Sequence, residues 1–473
     1  MYHEQKVPSD FSDRCVCIIG LGYVGLTLAA VMAEVGFHVI GIEKRENLLS
    51  KLKSGEPGLF EPGLNTLLKK VISDGSLELH HHIPTNCQAT VYIITVGTPV
   101  DDDNRINLDS IIDISETLSS LLKEEDMVLL RSTVKLGTTR STVLPILQKS
   151  EKNIHLAFCP ERTIEGQAME ELRYLPQIIG ADDLSATLRA SQIFQFLTPI
   201  TIRLSDYETA EMVKLVDNAR RDVTFAFSNE IAKLCNAIGI NADEVISSGR
   251  FGYSRTQLPT PGPVGGPCLS KDSHILVQSM QDLYGIMPEI TAAARNVNEK
   301  QPEEVVNFLR DYLNSLENFP EKPIISLLGI AFKGRPATDD LRGTTARPIF
   351  EALKRAFPQA LFWGYDPVVD SENLKQFGLC PKGDLKDAIS GAHLVMILNN
   401  HPIFSSIEIE QLSVGMARPG VIYDFWNCFK KKLSLPKGVQ YISLGNHKNG
   451  AKDKPILKFK KTIQSGLNME KTV

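Results

Sequence analysis

Gly20-Leu21-Gly22-Tyr23-Val24-Gly25 stands directly after the apolar run Val16 to Ile19, opens a helical pattern that stops before Gly36, and is followed by a second apolar run, His38 to Ile42. Strand, glycine turn, helix and strand in that order make one βαβ unit. The glycines allow a tight turn and let the backbone approach a pyrophosphate, which the free N–H groups and dipole of the helix N-terminus stabilise. Glu43 closes the second run, 23 positions beyond Gly20. A carboxylate there accepts from both ribose hydroxyls and repels a 2′-phosphate, which points to NAD rather than NADP, a preference that Lys44 and Arg45 weaken.

Further apolar runs at Thr90 to Val96, Met127 to Leu130 and Ile154 to Phe158 alternate with helix-compatible stretches. That alternation calls for a parallel sheet covered by helices. From Ser205 to Gly239 there is no proline, and Ser205-x-x-Glu208 has the form of a capping box. The stretch predicts one helix of about 50 Å, suited to connecting domains and joining subunits. After the Pro/Gly-rich stretch Pro259 to Pro267, strands are expected again at Ile324 to Leu328, Ala360 to Trp363, Leu394 to Leu398 and Val421 to Tyr423. The expected fold class is α/β, with two Rossmann-like doubly wound domains over 14–204 and 321–446. A central helical region with one long helix joins them over 205–320, and a polar tail follows at 447–473.

The 473 residues include 51 basic and 56 acidic side chains, a formal net charge of −5. Without a clustered basic stretch, nucleic acid is not the expected partner, because neutralising phosphates takes grouped Lys and Arg. No apolar run approaches the roughly 18 residues of a membrane span, and Met1 to Arg14 has no signal-peptide core, so a cytoplasmic location without membrane insertion is expected. The eight cysteines, at 15, 17, 87, 159, 235, 268, 380 and 428, form neither paired C-x-x-C units nor a disulfide framework, and no metal is expected.

One cysteine has a different setting, within Pro261-Gly262-Pro263-Val264-Gly265-Gly266-Pro267-Cys268-Leu269-Ser270-Lys271-Asp272. Proline suits the first helical position, which would put Cys268 in a helix's first turn, where the dipole and Lys271 lower a thiol pKa. Asp272, four residues on, would share that face and handle a proton or a water near the sulfur. Isolated cysteines ordinarily behave as small buried hydrophobes; the glycine loop and the Lys/Asp pair set this one apart. Lys214 and Asn218, spaced i, i+4 on the long helix, also share a face.

From about residue 14 to 445 the chain resembles the nucleotide-sugar 6-dehydrogenase family, also described as the UDP-glucose/GDP-mannose dehydrogenases. In family order stand Gly20 to Gly25, Val96-Gly97-Thr98-Pro99, Arg131-Ser132-Thr133-Val134, Cys159-Pro160-Glu161-Arg162, Glu211 to Asn218, Gly265-Gly266-Pro267-Cys268 with Lys271-Asp272, and Ala331-Phe332-Lys333 followed by Arg342. The resemblance implies NAD as cofactor, a UDP-sugar as substrate, a homodimer, and a four-electron oxidation at C6 of the sugar. Cys268 would capture the aldehyde as a thiohemiacetal and carry it to a thioester, which water hydrolyses to the uronate. Lys214 and Asn218 would steady charge on the C6 oxygen, with Glu161 or Asp272 as general base. The resemblance puts Gly20, Gly22, Tyr23, Val24, Gly25, Glu43, Thr98, Thr133, Glu165 and Arg342 at the cofactor. It puts Arg162, Thr163, Lys214, Asn218, Arg221, Arg255, Gly265 and Lys333 at the substrate.

Arg162 directly after Glu161, and Asn218-Ala219-Arg220-Arg221-Asp222, look like the branch that oxidises UDP-N-acetylmannosamine or UDP-N-acetylglucosamine for surface polysaccharide. The UDP-glucose branch usually has an aromatic after that glutamate. Tyr253-Ser254-Arg255 stands where His-Pro-Arg is frequent in the first branch. The chain departs from the pattern in three places: a glycine loop shorter by one glycine, Pro267 where His or Ser is common, and a longer spacing of nine positions from Lys333 to Arg342. A UDP-glucose 6-dehydrogenase, a two-electron dehydrogenase needing no thiol, and a non-catalytic NAD-binding module are the alternatives.

Overall fold

The computed structural model describes residues 6–101, 104–429 and 433–447; apart from His447, the tail expected over 447–473 lies outside them. Among these residues two sheets form. The first contains β1 (Cys15–Ile19), β2 (His38–Ile42), β3 (Leu77–His80), β4 (Val91–Ile94), β5 (Met127–Leu130), β6 (His155–Phe158), β7 (Gln177–Gly180) and β8 (Thr201–Leu204). Its order is β3-β2-β1-β4-β5-β6-β7-β8, parallel throughout except between β6 and β7. The second contains β9 (Ile324–Leu328), β10 (Leu361–Tyr365), β11 (Cys380–Pro381), β12 (Leu394–Ile397), β13 (Gly420–Asp424) and β14 (Val439–Ser443). Its order is β11-β10-β9-β12-β13-β14, all parallel. The expected α/β class with two Rossmann-like sheets is what the chain forms.

Most strands buried on both faces are the ones their apolar runs announce: every residue of β4, β5, β6 and β12 is buried. β7 is equally buried but no run announced it, and β14 was also missed. The other unannounced strands are short or polar. β3 alternates buried leucines with Glu78 and His80, β8 is half exposed, and β11 has two residues.

Helix α1 (Tyr23–Val35) is apolar on nearly all sides and ends where Gly36 turns left-handed, at φ 112. Helix α2 (Tyr207–Ile238) is unbroken over 32 residues, within the span read from the sequence. Its cap is Asp206 rather than Ser205: the Asp206 carboxylate accepts the Thr209 N–H at 2.7 Å. Ser205 lies one residue too early to reach that group and donates to Asp206 instead. Against α2 pack α4 (Asp272–Tyr284) and α5 (Glu289–Asn314), with the short α3 (Gly266–Leu269) just before α4 in the chain. The last described segment returns to the same helix. Ala242 N–H donates to the Gly445 carbonyl at 3.0 Å, and Asn236 accepts the His447 N–H. No helix among the described residues is long and apolar enough to cross a membrane.

Glu211 ties α2 to the loop after β5. Its buried carboxyl accepts the N–H of Gly137 at 2.5 Å and both the N–H and hydroxyl of Thr139, at 2.9 and 2.6 Å. Burial pushes it up to about 7 against the pull of these hydrogen bonds. The folded chain therefore keeps a proton that the unfolded chain loses near 4.5, and stability falls as pH rises through that window. Glu211→Gln does not titrate. Thermal melts are expected to show a clear loss of stability for Glu211→Gln at pH 5 and a smaller one at pH 8.

Candidate active site

The turn after β1 is built by contacts that only glycine permits. A Cβ on Gly25 would lie 2.0 Å from the Gly20 carbonyl, so α1 starts hard against the turn, and Thr95 Oγ1 donates to that same carbonyl at 2.7 Å. In front of Gly22 the space is open, with nothing among the described residues within 4 Å of where a Cβ would stand. The first turn of α1, starting at Tyr23 and Val24, has no side-chain cap among the described residues. Open space over a glycine beside uncapped helix N–H groups fits a dinucleotide pyrophosphate. Glu43 is buried at the end of β2; burial raises its carboxyl, but bonds from Arg45 Nε at 2.9 Å and Nη2 at 3.0 Å bring it below its ordinary value. It is therefore an ionised acceptor, as a ribose contact requires. Thr98 donates to the Thr133 carbonyl at 2.7 Å, which brings those two loops together.

The Tyr23 hydroxyl accepts the Gly166 N–H at 2.6 Å, linking the glycine turn to the loop that carries Glu165. Glu165 gathers the second domain's candidates. Lys333 Nζ donates to its carbonyl at 2.5 Å, and Arg342 Nη2 lies 3.4 Å from its carboxyl. Burial and the neighbouring Asp340 push the Glu165 carboxyl to about 7, while burial holds Lys333 down to about 8. The longer segment before Arg342 fills the space above this loop: a Cβ on Gly166 would meet Ala337 O at 2.6 Å and Pro336 Cβ at 2.8 Å.

Helix α2 supplies the centre of the cleft. Lys214 Nζ donates to the Glu161 carbonyl at 2.5 Å, and Asn218 Nδ2 donates to Asp272 Oδ2 at 2.6 Å. Asp272 Oδ1 is buried without a hydrogen-bond partner among the described residues. Cys268 lies beside these groups: burial pushes its thiol up, Lys214 pulls it down, and Asp272 pushes it up again. The thiol is thus raised, not lowered as the sequence suggested. Helix α3 has only four residues to supply a dipole, and Lys271, its ammonium on the Thr98 carbonyl at 2.7 Å, pulls the thiol down as expected but is outweighed by burial. Nor do Cys268 and Asp272 share one helical face. The chain breaks at Ser270–Lys271, and Asp272 starts α4. Burial raises the Asp272 carboxyl as well, against Lys214 and Lys271.

Glu161 is fully engaged. Arg131 holds Oε2 at 2.6 and 3.2 Å, and the N–H groups of Arg162 and Thr163 hold Oε1 at 2.7 and 2.8 Å. Burial raises this carboxyl, but Arg131 and the Thr163 N–H outweigh it and bring it below its ordinary value. Arg162 itself donates to the Pro176 carbonyl and pairs with Asp217. Arg221 is close enough to Lys333 to act on its charge. Arg255 is exposed, its guanidinium 4.8 Å from the centre of the Tyr253 ring, and it makes no hydrogen bond to the other substrate candidates among the described residues. Gly265 lets the cysteine loop meet the second domain: a Cβ there would lie 2.3 Å from Gly343 O, which also accepts the Gly266 N–H at 2.7 Å. No cluster of three or more His, Cys, Asp or Glu among the described residues is placed to hold a metal.

The sequence reading missed the network that fixes the cysteine loop. Arg295 on α5 donates to Asp222 on α2 at 2.9 Å and to the Leu269 carbonyl at 2.6 Å. Asn298 donates to Asp222 at 2.7 Å, and Asn229 exchanges hydrogen bonds with the Gly262 backbone at 3.0 and 2.9 Å. All four side chains are buried. The available signal was Asp222 and Asn229 on the stripe of α2 that Lys214 and Asn218 already marked.

Three family models match the chain: the UDP-glucose/GDP-mannose dehydrogenase family NAD binding domain over 14–198, its central domain over 208–300 and its UDP binding domain over 326–431. UDP-N-acetyl-D-mannosamine dehydrogenase of Methanococcus maripaludis is 30% identical over 444 residues, covering 92% of this chain and 98% of that protein. The enzyme of the same name from Campylobacter jejuni is 31% identical over 417 residues, covering 84% and 98%. The solved structure of the Pyrococcus horikoshii UDP-D-ManNAc dehydrogenase superposes with a TM-score of 0.81 at 28% identity, covering 92% of this chain and 99% of that one.

The buried network has a measurable effect. Arg295→Met leaves Asp222 charged and unpaired, which costs about 3–5 kcal/mol of stability. Denaturant melts are expected to show that loss, and iodoacetamide is expected to label Cys268 faster in the variant.

Proposed function

The chain belongs to the UDP-glucose/GDP-mannose dehydrogenase family, and from that premise we propose that it oxidises the C6 hydroxyl of a UDP-N-acetylhexosamine, of manno or gluco configuration, to the uronate in a four-electron reaction. The UDP-N-acetylmannosamine dehydrogenases among its relatives support the choice of sugar. The observation that carries the reaction is the half-buried Cys268 set beside the buried side chains of Lys214, Asn218 and Asp272. A two-electron alcohol oxidation has no use for a thiol there.

NAD, held at the glycine turn and Glu43, supplies the hydride acceptor for both oxidations. Lys214 steadies negative charge on the C6 oxygen, and Asn218 orients it. The Cys268 sulfur adds to the C6 aldehyde and holds the carbon as a thiohemiacetal, later a thioester, so that the intermediate stays on the enzyme. Asp272 takes the protons, from the thiol and then from the hydrolytic water, because its Oδ1 is free whereas both Glu161 oxygens are engaged. Glu161 then acts by fixing the carbonyl on which Lys214 rests. Lys333, Arg221 and Arg342 concentrate positive charge for the phosphates of the two ligands. We place the enzyme in the cytoplasm as a homodimer, formed through α2, whose Phe227, Leu234 and Ile238 are exposed. Its product would feed surface polysaccharide.

Two NADH per sugar are expected with UDP-ManNAc or UDP-GlcNAc, and less turnover with UDP-glucose. Cys268→Ser is expected to make no uronate, and Lys214→Ala to lose about 10²–10³-fold in kcat. One NADH per sugar, or uronate from Cys268→Ser at the wild-type rate, would replace this reading with the two-electron one. NAD binding without turnover of any of the three sugars would leave a binding module.

A further inference from the structure

Where α5 meets the second domain, behind the cysteine loop, lies a cavity of about 510 Å³. That is the size of a small-molecule pocket. Its walls include Arg295, Glu299 and Pro302 on α5, Arg347 and Pro348 on α6 (Ala346–Ala356), and Phe377, the last residue of α7 (Ser371–Phe377). Of the residues assigned above to the two ligands and the reaction, only Gly265 borders it. Arg295 spends Nη1 on Asp222 and on the Leu269 carbonyl. Its Nε and Nη2 form the edge of a guanidinium that grips a planar anion in two parallel bonds, as the same edge of Arg45 grips Glu43. In Arg295 neither of these nitrogens makes a hydrogen bond among the described residues, although the side chain is only 5% exposed. Glu299 Oε1 lies 3.3 Å from Nε as an ion pair without hydrogen-bond alignment, and the same oxygen is 2.7 Å from His274 Nε2. A buried donor left unused is costly, and two coplanar oxygens from a ligand would remove that cost.

We propose that this cavity is a separate binding site for a small aromatic carboxylate, whose two oxygens take the N–H groups on Nε and Nη2 of Arg295. The remaining walls suit a flat ring. The Arg347 guanidinium lies 3.6 Å from the centre of the Phe377 ring and donates from Nη1 to the Phe377 carbonyl at 2.9 Å, which makes one planar surface. Pro302 and Pro348 add apolar faces. A carboxylate fits better than a phosphate ester, because one guanidinium edge offers two donors for two oxygens and the nearby Glu299 disfavours a second negative charge. The occupant shares with the Leu269 carbonyl the guanidinium that fixes the cysteine loop, so it sits against the support of Cys268 while leaving the NAD and sugar sites free. The site does not depend on which sugar the enzyme oxidises.

The test titrates the full-length protein with para-fluorobenzoate, followed by fluorine NMR, with UDP and NADH in excess to fill the two sites described above. Para-fluorophenyl phosphate and the uncharged para-fluorobenzamide are the comparison probes. The carboxylate is expected to bind at least about fivefold more tightly than either. Glu299→Gln removes a repelling charge and leaves Arg295 in place, so it is expected to tighten carboxylate binding by about threefold or more. Arg347→Ala takes away one face of the ring site and is expected to weaken binding by a similar factor. Arg295→Met should abolish binding, and because that change also loosens the fold, the two other variants keep the test within a folded protein. No binding of para-fluorobenzoate, equal binding of the amide, tighter binding of the phosphate ester, or a Glu299→Gln variant that binds no more tightly than the wild type would each overturn the proposal.

Discussion

One nitrogen of Arg295 meets both the Asp222 carboxylate and the Leu269 carbonyl, so the end of the short helix carrying Cys268 hangs on an ion pair buried between two long helices. Desolvating two charges is costly, and such a pair holds only when its remaining lone pairs and protons are satisfied. Ser273 and Asn298 do this for Asp222, and Asn298 extends the chain of bonds to Asn229 and the Gly262 backbone at the other end of the loop. Because α2 supplies Asp222 and Asn229 as well as Lys214 and Asn218, the loop and the groups that face it share one rigid element. That is how a thiol on a glycine-rich segment keeps a fixed position relative to an ammonium and a carboxyl from elsewhere in the chain.

The cleft's lysines all follow one rule. Lys214 rests on the Glu161 carbonyl, Lys271 on the Thr98 carbonyl and Lys333 on the Glu165 carbonyl. A carbonyl satisfies an ammonium without cancelling its charge, so each lysine is held in place with its charge unpaired by these contacts. The arginines are treated differently: Arg131, Arg295 and Arg342 pair with carboxylates and so serve architecture, or wait to be exchanged. A chain of net charge −5 can in this way offer a cationic site for anionic ligands.

Much of this was legible in the sequence. The first βαβ unit and the long helix follow from apolar periodicity and from where glycine and proline fall, and the residues that meet around Cys268 follow from the motifs. Hidden were features that depend on partners far apart in the chain. Arg131 reads as one letter of a motif, yet it decides that Glu161 is fully bonded. Arg295 lies 73 positions from Asp222 and carries no local signal. The Cys268 thiol was misjudged for a related reason: a helix start and a nearby lysine are visible in sequence, whereas the length of the helix and the depth of burial are not. Edge strands such as β3 and β8 lack the apolar run because only one face, or neither, is covered.

The contact between Gly266 and Gly343 has a consequence for how the protein is made. The cysteine loop takes its final shape only against a residue 77 positions later, and the chain's last described segment must return to α2 near Asn236 and Ala242 to seat the second domain. On a ribosome the NAD domain can fold first, and the helix bearing Lys214 can follow, while Cys268 still lacks the backing of Gly343 and Phe332. The setting of Cys268 is therefore assembled last, and a nascent or truncated chain presents an ordinary cysteine on an unshaped loop.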